Sequence, residues 1–452
     1  MTDSEKIQDL EAKLAQALTR VSELEAIVLR LSTPKNSQNS SIPPSTDLSR
    51  KNQSLREKST NPVGGQVGHE GHSLKMSNTP NKIEKIYPNF CNCCGKSLSS
   101  SVFALSARRQ VIDIPPIEPT ITEYQSFETY CSCGHRQVGA FPVGVDNHIQ
   151  YGENTQTLAV YLNCFQFLPF GRLQDFFAKV CHLSISKGTL ENIVRRTAQK
   201  ALPTYETLRQ VIAVSFFVGS DETGFKVNGS KFWYWIWQNA VVTYIVAACS
   251  RSKSVITDTF PEGLPHSILC SDRLAAQLST ISQGSQICLA HLLRDSNYLI
   301  QSENNSWATD FRILLKDAIK LKQEQAFYAK NNPKVLEIEQ RADKLLHPQI
   351  LDELLKDKEK YAQTITFFRG MLKLRHALFH FLYHAQIPFD NNASERAIRM
   401  VKIKIKVSGQ FKSLHQEFAI IRSVIGTAIK NGQSVFHAIK AMVQIPLNPI
   451  AG

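Results

Sequence analysis

The stretch VIAVSFFVGSDETGFKVNGSKFWYWIWQN, residues 211–239, decides the fold. It reads as two strands, because both halves are β-branched and aromatic and Asn228-Gly229 between them is the strongest short-range hairpin signal. VVTYIVAACS (241–250) is a third run of the same kind, so three successive antiparallel strands are expected. SVITDTF (254–260) and another buried strand, SILCSD (267–272), follow. QICLAHLLRDSNYLI (286–300) then reads as a fifth short strand running into a helix. The expected fold is mixed α/β.

Two carboxylates interrupt these apolar runs. Asp221 ends or nearly ends the first strand, and Asp272 closes the fourth. Acids at the ends of two apolar strands are costly if merely buried and natural if both hold a cation at one edge. The plain alternative is a pair of strand-terminating turn aspartates. Downstream, FDNNASERAIRMVKIKIKVSGQF (389–411) offers a third acid, Glu395, three residues after Asn392, which fits a capping box. Arg396 and Arg399 share a face of that helix. Lys402, Lys404 and Lys406 then alternate with Ile403, Ile405 and Val407, which predicts a strand with an all-lysine face. Such lysines can simply guard a sheet edge. From Asn391 to Lys412, however, six positive charges surround Glu395 alone, a setting that suits a metal beside a phosphodiester backbone.

Working outward, the 452 residues predict about three domains. They carry 52 Lys+Arg against 39 Asp+Glu, net +13, which suggests a polyanionic partner. The 42% apolar content excludes wholesale disorder, and no apolar run approaches the ~18 residues that span a bilayer. The opening MTDSEKIQDLEAKL is acidic and polar, unlike a secretory leader, so a cytoplasmic, reducing setting is expected for the ten cysteines.

Residues 1–31 carry a heptad, with Ile7, Leu14, Val21 and Val28 at one core position and Leu10, Ala17, Leu24 and Leu31 at the other. A coiled coil, hence at least a dimer, is expected there. Residues 32–82 are rich in Ser, Asn, Pro, Gly and Lys and read as a flexible linker. Residues 83–145 hold a Cys91-x-x-Cys94 pair and a Cys131-x-Cys133 pair around a strand-like stretch. Four thiolates on a small β scaffold predict a structural zinc site, with Cys93 or His135 as possible substitutes for one ligand. Residues 150–205 have the layout of a helix-turn-helix whose second helix would present Lys187, Asn192 and Arg195 outward.

Taken together, these segments resemble the bacterial DDE transposases of the insertion-sequence-sixty-six family, transposase C type. The resemblance is carried by the heptad start, NSSIPPSTD, GGQVGHEGH, CNCCG with CSCGH, YLNCFQFLPFGRLQDF with SKGTLENIV, SDETG, SDRLAA, AHLLRD and, most specifically, DNNASERAIRMVKIKIKVSG. Val67, where the family usually has proline, and the extra thiol of Cys93 depart from it. The resemblance implies a ribonuclease H-like catalytic domain over 210–452, a sheet type in which the first and fourth strands are neighbours. Asp221, Asp272 and Glu395 would be its catalytic triad. Glu395 lies 123 positions after Asp272, and the stretch between them would include a helical insertion at about 303–385. It also implies two Mg²⁺ (or Mn²⁺) ions about 4 Å apart, bridged by Asp221 with Asp272 and Glu395 each holding one. The chemistry would be cleavage of terminal inverted repeats and strand transfer into target DNA. His291, Arg294, Arg396, Arg399, Lys402, Lys404 and Lys406, with Lys187 and Arg195, would contact double-stranded DNA. The competing reading is a zinc-dependent dimeric DNA-binding regulator, which has no need of three converging carboxylates.

Overall fold

The computed structural model describes residues 3–36, 39–40, 68 and 74–446. Most of the 32–82 linker, including Val67 and nearly all of NSSIPPSTD and GGQVGHEGH, lies outside them. The chain groups into two compact units, Met1–Arg50 with Thr120–Gly452, and Lys51–Pro119. No helix among the described residues is long and apolar enough to cross a membrane.

In the smaller unit the Cys91–Gly95 turn is closed by the Gly95 N–H donating to the Cys91 carbonyl and the Cys91 N–H to that of Lys96, both 2.9 Å. Gly95 takes φ +72°, which a side chain would resist.

The larger unit begins with helix α1 (Asp3–Ser32), whose heptad residues Ile7, Leu10, Leu14 and Val28 are exposed. The chain just after it is anchored: buried Asn39 donates to Gln301 at 2.9 Å, so the linker expected from residue 32 starts as a docked segment. Strands β1 (Glu128–Tyr130) and β2 (Arg136–Val138) form a small hairpin. They flank a second cysteine turn, in which Gly134 N–H donates to the Cys131 carbonyl at 2.8 Å. These three-residue strands are all that the region around the cysteines contributes to a sheet, where the sequence suggested a longer β scaffold. Its Pro-Pro and Glu-Pro steps remove the amide donors that a ladder needs.

Helix α2 (Glu153–Val160) runs into a π-turn (Tyr161–Phe165), then α3 (Phe170–Val180) and α4 (Lys187–Ala213). Ser186 starts α4 by accepting the Thr189 N–H. The sheet follows: β3 (Phe217–Val227), β4 (Ser230–Gln238), β5 (Thr243–Ala248), helix α5 (Lys253–Thr259), β6 (Leu264–Ser271), the short α6 (Ala275–Leu278) and β7 (Ser282–Ile287). The strand order is β5-β4-β3-β6-β7; β3 to β5 are antiparallel, while β6 and β7 join parallel. Asn228 and Gly229, at φ +48° and +83°, make the β3–β4 turn the sequence announces. SVITDTF falls largely in α5, where Val255 and Ile256 bury one side of a helical turn.

Both sheet faces are covered, so β4 is apolar on each. Phe225, Tyr234 and Ile236 face a core with the later helices, while Trp235 and Trp237 face the end of α4 and Phe260. Beyond β7 come α7 (Leu289–Glu303), α8 (Ser306–Glu324), α9 (Pro333–Leu345), α10 (Pro348–Lys356), α11 (Ala362–Lys373) and α12 (His380–Tyr383). These helices bury Phe311, Leu314, Leu315 and Phe368 in a core of their own against Ile268 and Ile287. The chain returns to the sheet in α13 (Asn392–Ser408), then α14 (His415–Lys430) and α15 (Val435–Gln444). Helix α14 closes the edge of β5: Thr427 and Ser423 hydroxyls accept the Thr243 and Ile245 N–H groups, and Gln416 donates to the Ala247 carbonyl.

Candidate functional site

Asp221 is the fifth residue of an eleven-residue strand, so it interrupts β3 and does not end it. The strand continues because residues 221–227 still pair with β4, from Asp221↔Ile236 to Val227↔Ser230. What ends is the other ladder: β3 pairs with β6 only as far as Gly219↔Cys270. Extending that register by two residues sets Asp221 level with Asp272, which directly follows β6.

Glu395 comes to the same place on the first turn of α13. The approach is a strap of residues 389–391. The Phe389 carbonyl accepts the Leu289 N–H at 2.9 Å, and the Asn391 N–H points to Cys288 Sγ at 3.2 Å. The Asn391 side chain donates to the Ser220 carbonyl at 2.7 Å. Asn391, not Asn392, therefore flanks the helix, and Glu395 lies one position beyond the capping box expected of it. Asn391 is spent on β3, and Asp390 instead accepts the Asn392 N–H at 3.1 Å. Gly219 permits this close seat: a Cβ there would lie 2.8 Å from Ser394 Oγ and 3.2 Å from Asn391 Oδ1.

The three acids share one electrostatic environment. Burial pushes the Asp221 carboxyl well above the usual range, and the Asp272, Glu222 and Glu395 charges push it further the same way. His291 stands between the other two, with Nδ1 3.2 Å from Asp272 Oδ1 and Nε2 4.0 Å from Glu395 Oε1. Burial disfavours its charged form, but the Asp272 carboxylate and Cys288 outweigh burial and raise its pKa to about 10. Arg294 Nη2 lies 3.7 Å from Glu395 Oε1. Asp272 Oδ1 and Glu395 Oε1 are buried with no hydrogen-bond partner. Among the described residues, Asp272, Cys288 and His291 also place ligand atoms within 4.8 Å of one another. Mutually repelling carboxylates with buried oxygens that accept no hydrogen bond fit a hard divalent cation.

Residues 402–407 are helical, which corrects the expected strand. Ile398, Val401 and Ile405 recur at helical spacing, and the helix runs on to Gly409 at φ +74°. The helical period re-sorts the cations. Arg399, Lys402 and Lys406 continue the face that bears Glu395, at i+4, i+7 and i+11, with Arg396 exposed beside it. Lys404 turns inward: it is buried and donates to the Asn163 carbonyl at 3.2 Å, and burial lowers its pKa. It cannot reach DNA from there.

On α4, Lys187 and Asn192 are exposed. Arg195 is committed to Asn192 at 2.6 Å and approaches Glu417 at 3.9 Å. In the cysteine turns, the backbone N–H groups of Cys94 and Cys93 lower the Cys91 pKa, and that of Cys133 lowers the Cys131 pKa. Nothing local in the sequence marks Gly219, Asn391 or Cys288 as part of the site. The only trace of their roles lies in the motifs around them, since the contacts that define them span more than a hundred residues.

Residues 148–417, more than half of the chain, match the Transposase IS66 family, and all three acids fall inside the match. Residues 2–75 match a family of unknown function. No curated protein matches the chain.

Proposed function

The chain belongs to the IS66 family of transposases, and on that premise we propose that it cleaves DNA at the ends of a mobile element and joins those ends to target DNA. The convergence of Asp221, Asp272 and Glu395 carries this reading, because their mutual repulsion within a partly buried site calls for a cation. We read the sheet, with its first and fourth strands adjacent, as ribonuclease H-like.

Asp221, Asp272 and Glu395 are the proposed holders of Mg²⁺ or Mn²⁺, whose bound form supplies Lewis acidity to the phosphodiester and lowers the pKa of the attacking hydroxyl. The chain's own residues do the rest. His291, beside Asp272, and Arg294 offer donors to a phosphate approaching the acids. Arg396, Arg399, Lys402 and Lys406 form a cationic face running away from Glu395, a track for the DNA backbone. Lys187 on α4 is the exposed candidate of the helix-turn-helix, with Arg195 supporting Asn192 beside it. Zinc is the proposed partner of the cysteine turns, and the exposed heptad of α1 the proposed self-association surface.

The test is Asp221→Asn. It should abolish Mg²⁺-dependent cleavage of DNA carrying the element's ends while leaving binding of that DNA within a few-fold of the parent. A variant that cuts and joins like the parent overturns the assignment.

A further inference from the structure

We infer that Arg273 is a positioning residue that fixes the Asp272 carboxylate and ties the helical insertion to the acid cluster. This rests on the reading of Asp272 as a metal ligand.

Arg273 directly follows Asp272 and sits at φ +69°, a left-handed conformation that a residue with a side chain rarely adopts. Such a backbone persists only where surrounding contacts hold it, and here the holding groups are identifiable. The Arg273 guanidinium pairs with the Asp295 carboxylate of α7. Its Cζ lies 5.6 Å from the centre of the Phe367 ring on α11, and its Nε is buried without a hydrogen-bond partner.

Asp295 lies one turn after His291 on the same helix, and His291 is the residue that approaches Asp272. The contacts therefore close a ring: Asp272 to His291, along α7 to Asp295, across to Arg273, and back through one peptide to Asp272. A rotation of that peptide would swing the Asp272 carboxylate, and the ring resists it. Phe367, supplied by the insertion, stands outside the ring but holds its Arg273 corner, so the seat of α11 is transmitted to a proposed metal ligand through the guanidinium over its ring.

Glycine adopts φ +69° without strain, so Arg273→Gly removes the ring and the backbone strain together. A residue serving stability alone would show its loss in the melting curve; a positioning residue shows it in the metal site. The experiment uses the full chain and Mn²⁺ alone, with binding read by calorimetry and folding by thermal melting. Arg273→Gly and the isosteric Asp295→Asn should each weaken Mn²⁺ binding about tenfold, the lower end for residues that orient metal ligands. The double variant should bind no worse than the weaker single, since both break one ring. Arg273→Lys, which keeps the charge but not the fork, should fall between. Parental Mn²⁺ affinity in Arg273→Gly, or in Asp295→Asn if the glycine variant does not fold, overturns the inference. Asp272→Asn separates the two levels: if it binds Mn²⁺ like the parent, the reading of the site itself fails, and if it does not while Arg273→Gly does, only the role of Arg273 fails.

Discussion

Gly219→Ala probes the seat of the third carboxylate without touching any acid. The added Cβ would meet Ser394 Oγ at 2.8 Å and Asn391 Oδ1 at 3.2 Å, with Gln238 Nε2 closer still. None of these neighbours can swing into solvent, because Ser394, Asn391 and Gln238 are 0%, 2% and 3% exposed. Restoring ordinary contact from 2.8 to 3.4 Å requires the first turn of α13 to retreat by about 0.6 Å. Overpacking of this kind costs about 1–3 kcal/mol. At about 2 kcal/mol, the folding equilibrium moves roughly thirtyfold toward the unfolded chain. Glu395 rides on the displaced turn, and misplacement approaching 1 Å costs up to about a hundredfold in rate, so metal-dependent DNA cleavage should fall at least about tenfold. Denaturant unfolding and a cleavage assay on the element's ends read the two effects separately. Adding Ser394→Ala removes the nearest α13 atom and should recover part of both, with a coupling of about 1 kcal/mol. If Gly219→Ala unfolds within about 0.5 kcal/mol of the parent and cleaves at the parental rate, the close docking of α13 on β3 is not what places Glu395.

Lys404→Met should leave DNA affinity and its salt dependence unchanged, whereas Lys402→Ala and Lys406→Ala should each flatten the logarithmic salt slope by about one; binding titrations from low to high salt distinguish them. Lys430 is brought down to a pKa of about 7 by burial, with the Arg396 charge acting the same way, from an ordinary 10.5. Between those values the unfolded chain holds a proton that the folded chain has released, so this group makes stability rise with pH. Lys430→Met should remove that component, which unfolding curves taken from pH 7 to 9.5 will reveal; an unaltered slope contradicts the shift. Replacing Cys91 and Cys94 by serine should abolish stoichiometric zinc, and elemental analysis that finds no zinc in the parent refutes the metal assignment.

Much of the site is legible in the sequence because its signals are local. An acid inside an apolar run stands out at Asp221 and Asp272, and Asn228-Gly229 fixes the hairpin beside the first of them. The lysine run misleads for an equally local reason. Lys402, Lys404 and Lys406 alternate perfectly at period two, while Ile398, Val401 and Ile405 carry the helical period, and only packing against Asn163 decides between them. Arg273 and Cys288 are legible only in three dimensions. One gains its role from Asp295 and Phe367, the other from Asn391, and no short-range pattern encodes either.

The strap at residues 389–391 separates where Glu395 stands from how far the chain travels to reach it. Phe389 and Asn391 are fastened to the start of α7 and to β3, so the address is written in three residues just ahead of Glu395, at the end of the long excursion from Asp272. The entropy of closing such an excursion grows only with the logarithm of its length, about 0.6 kcal/mol per doubling. The helices between can therefore lengthen, shrink or acquire new surfaces at little thermodynamic cost. The third carboxylate would keep its place as long as the strap is kept.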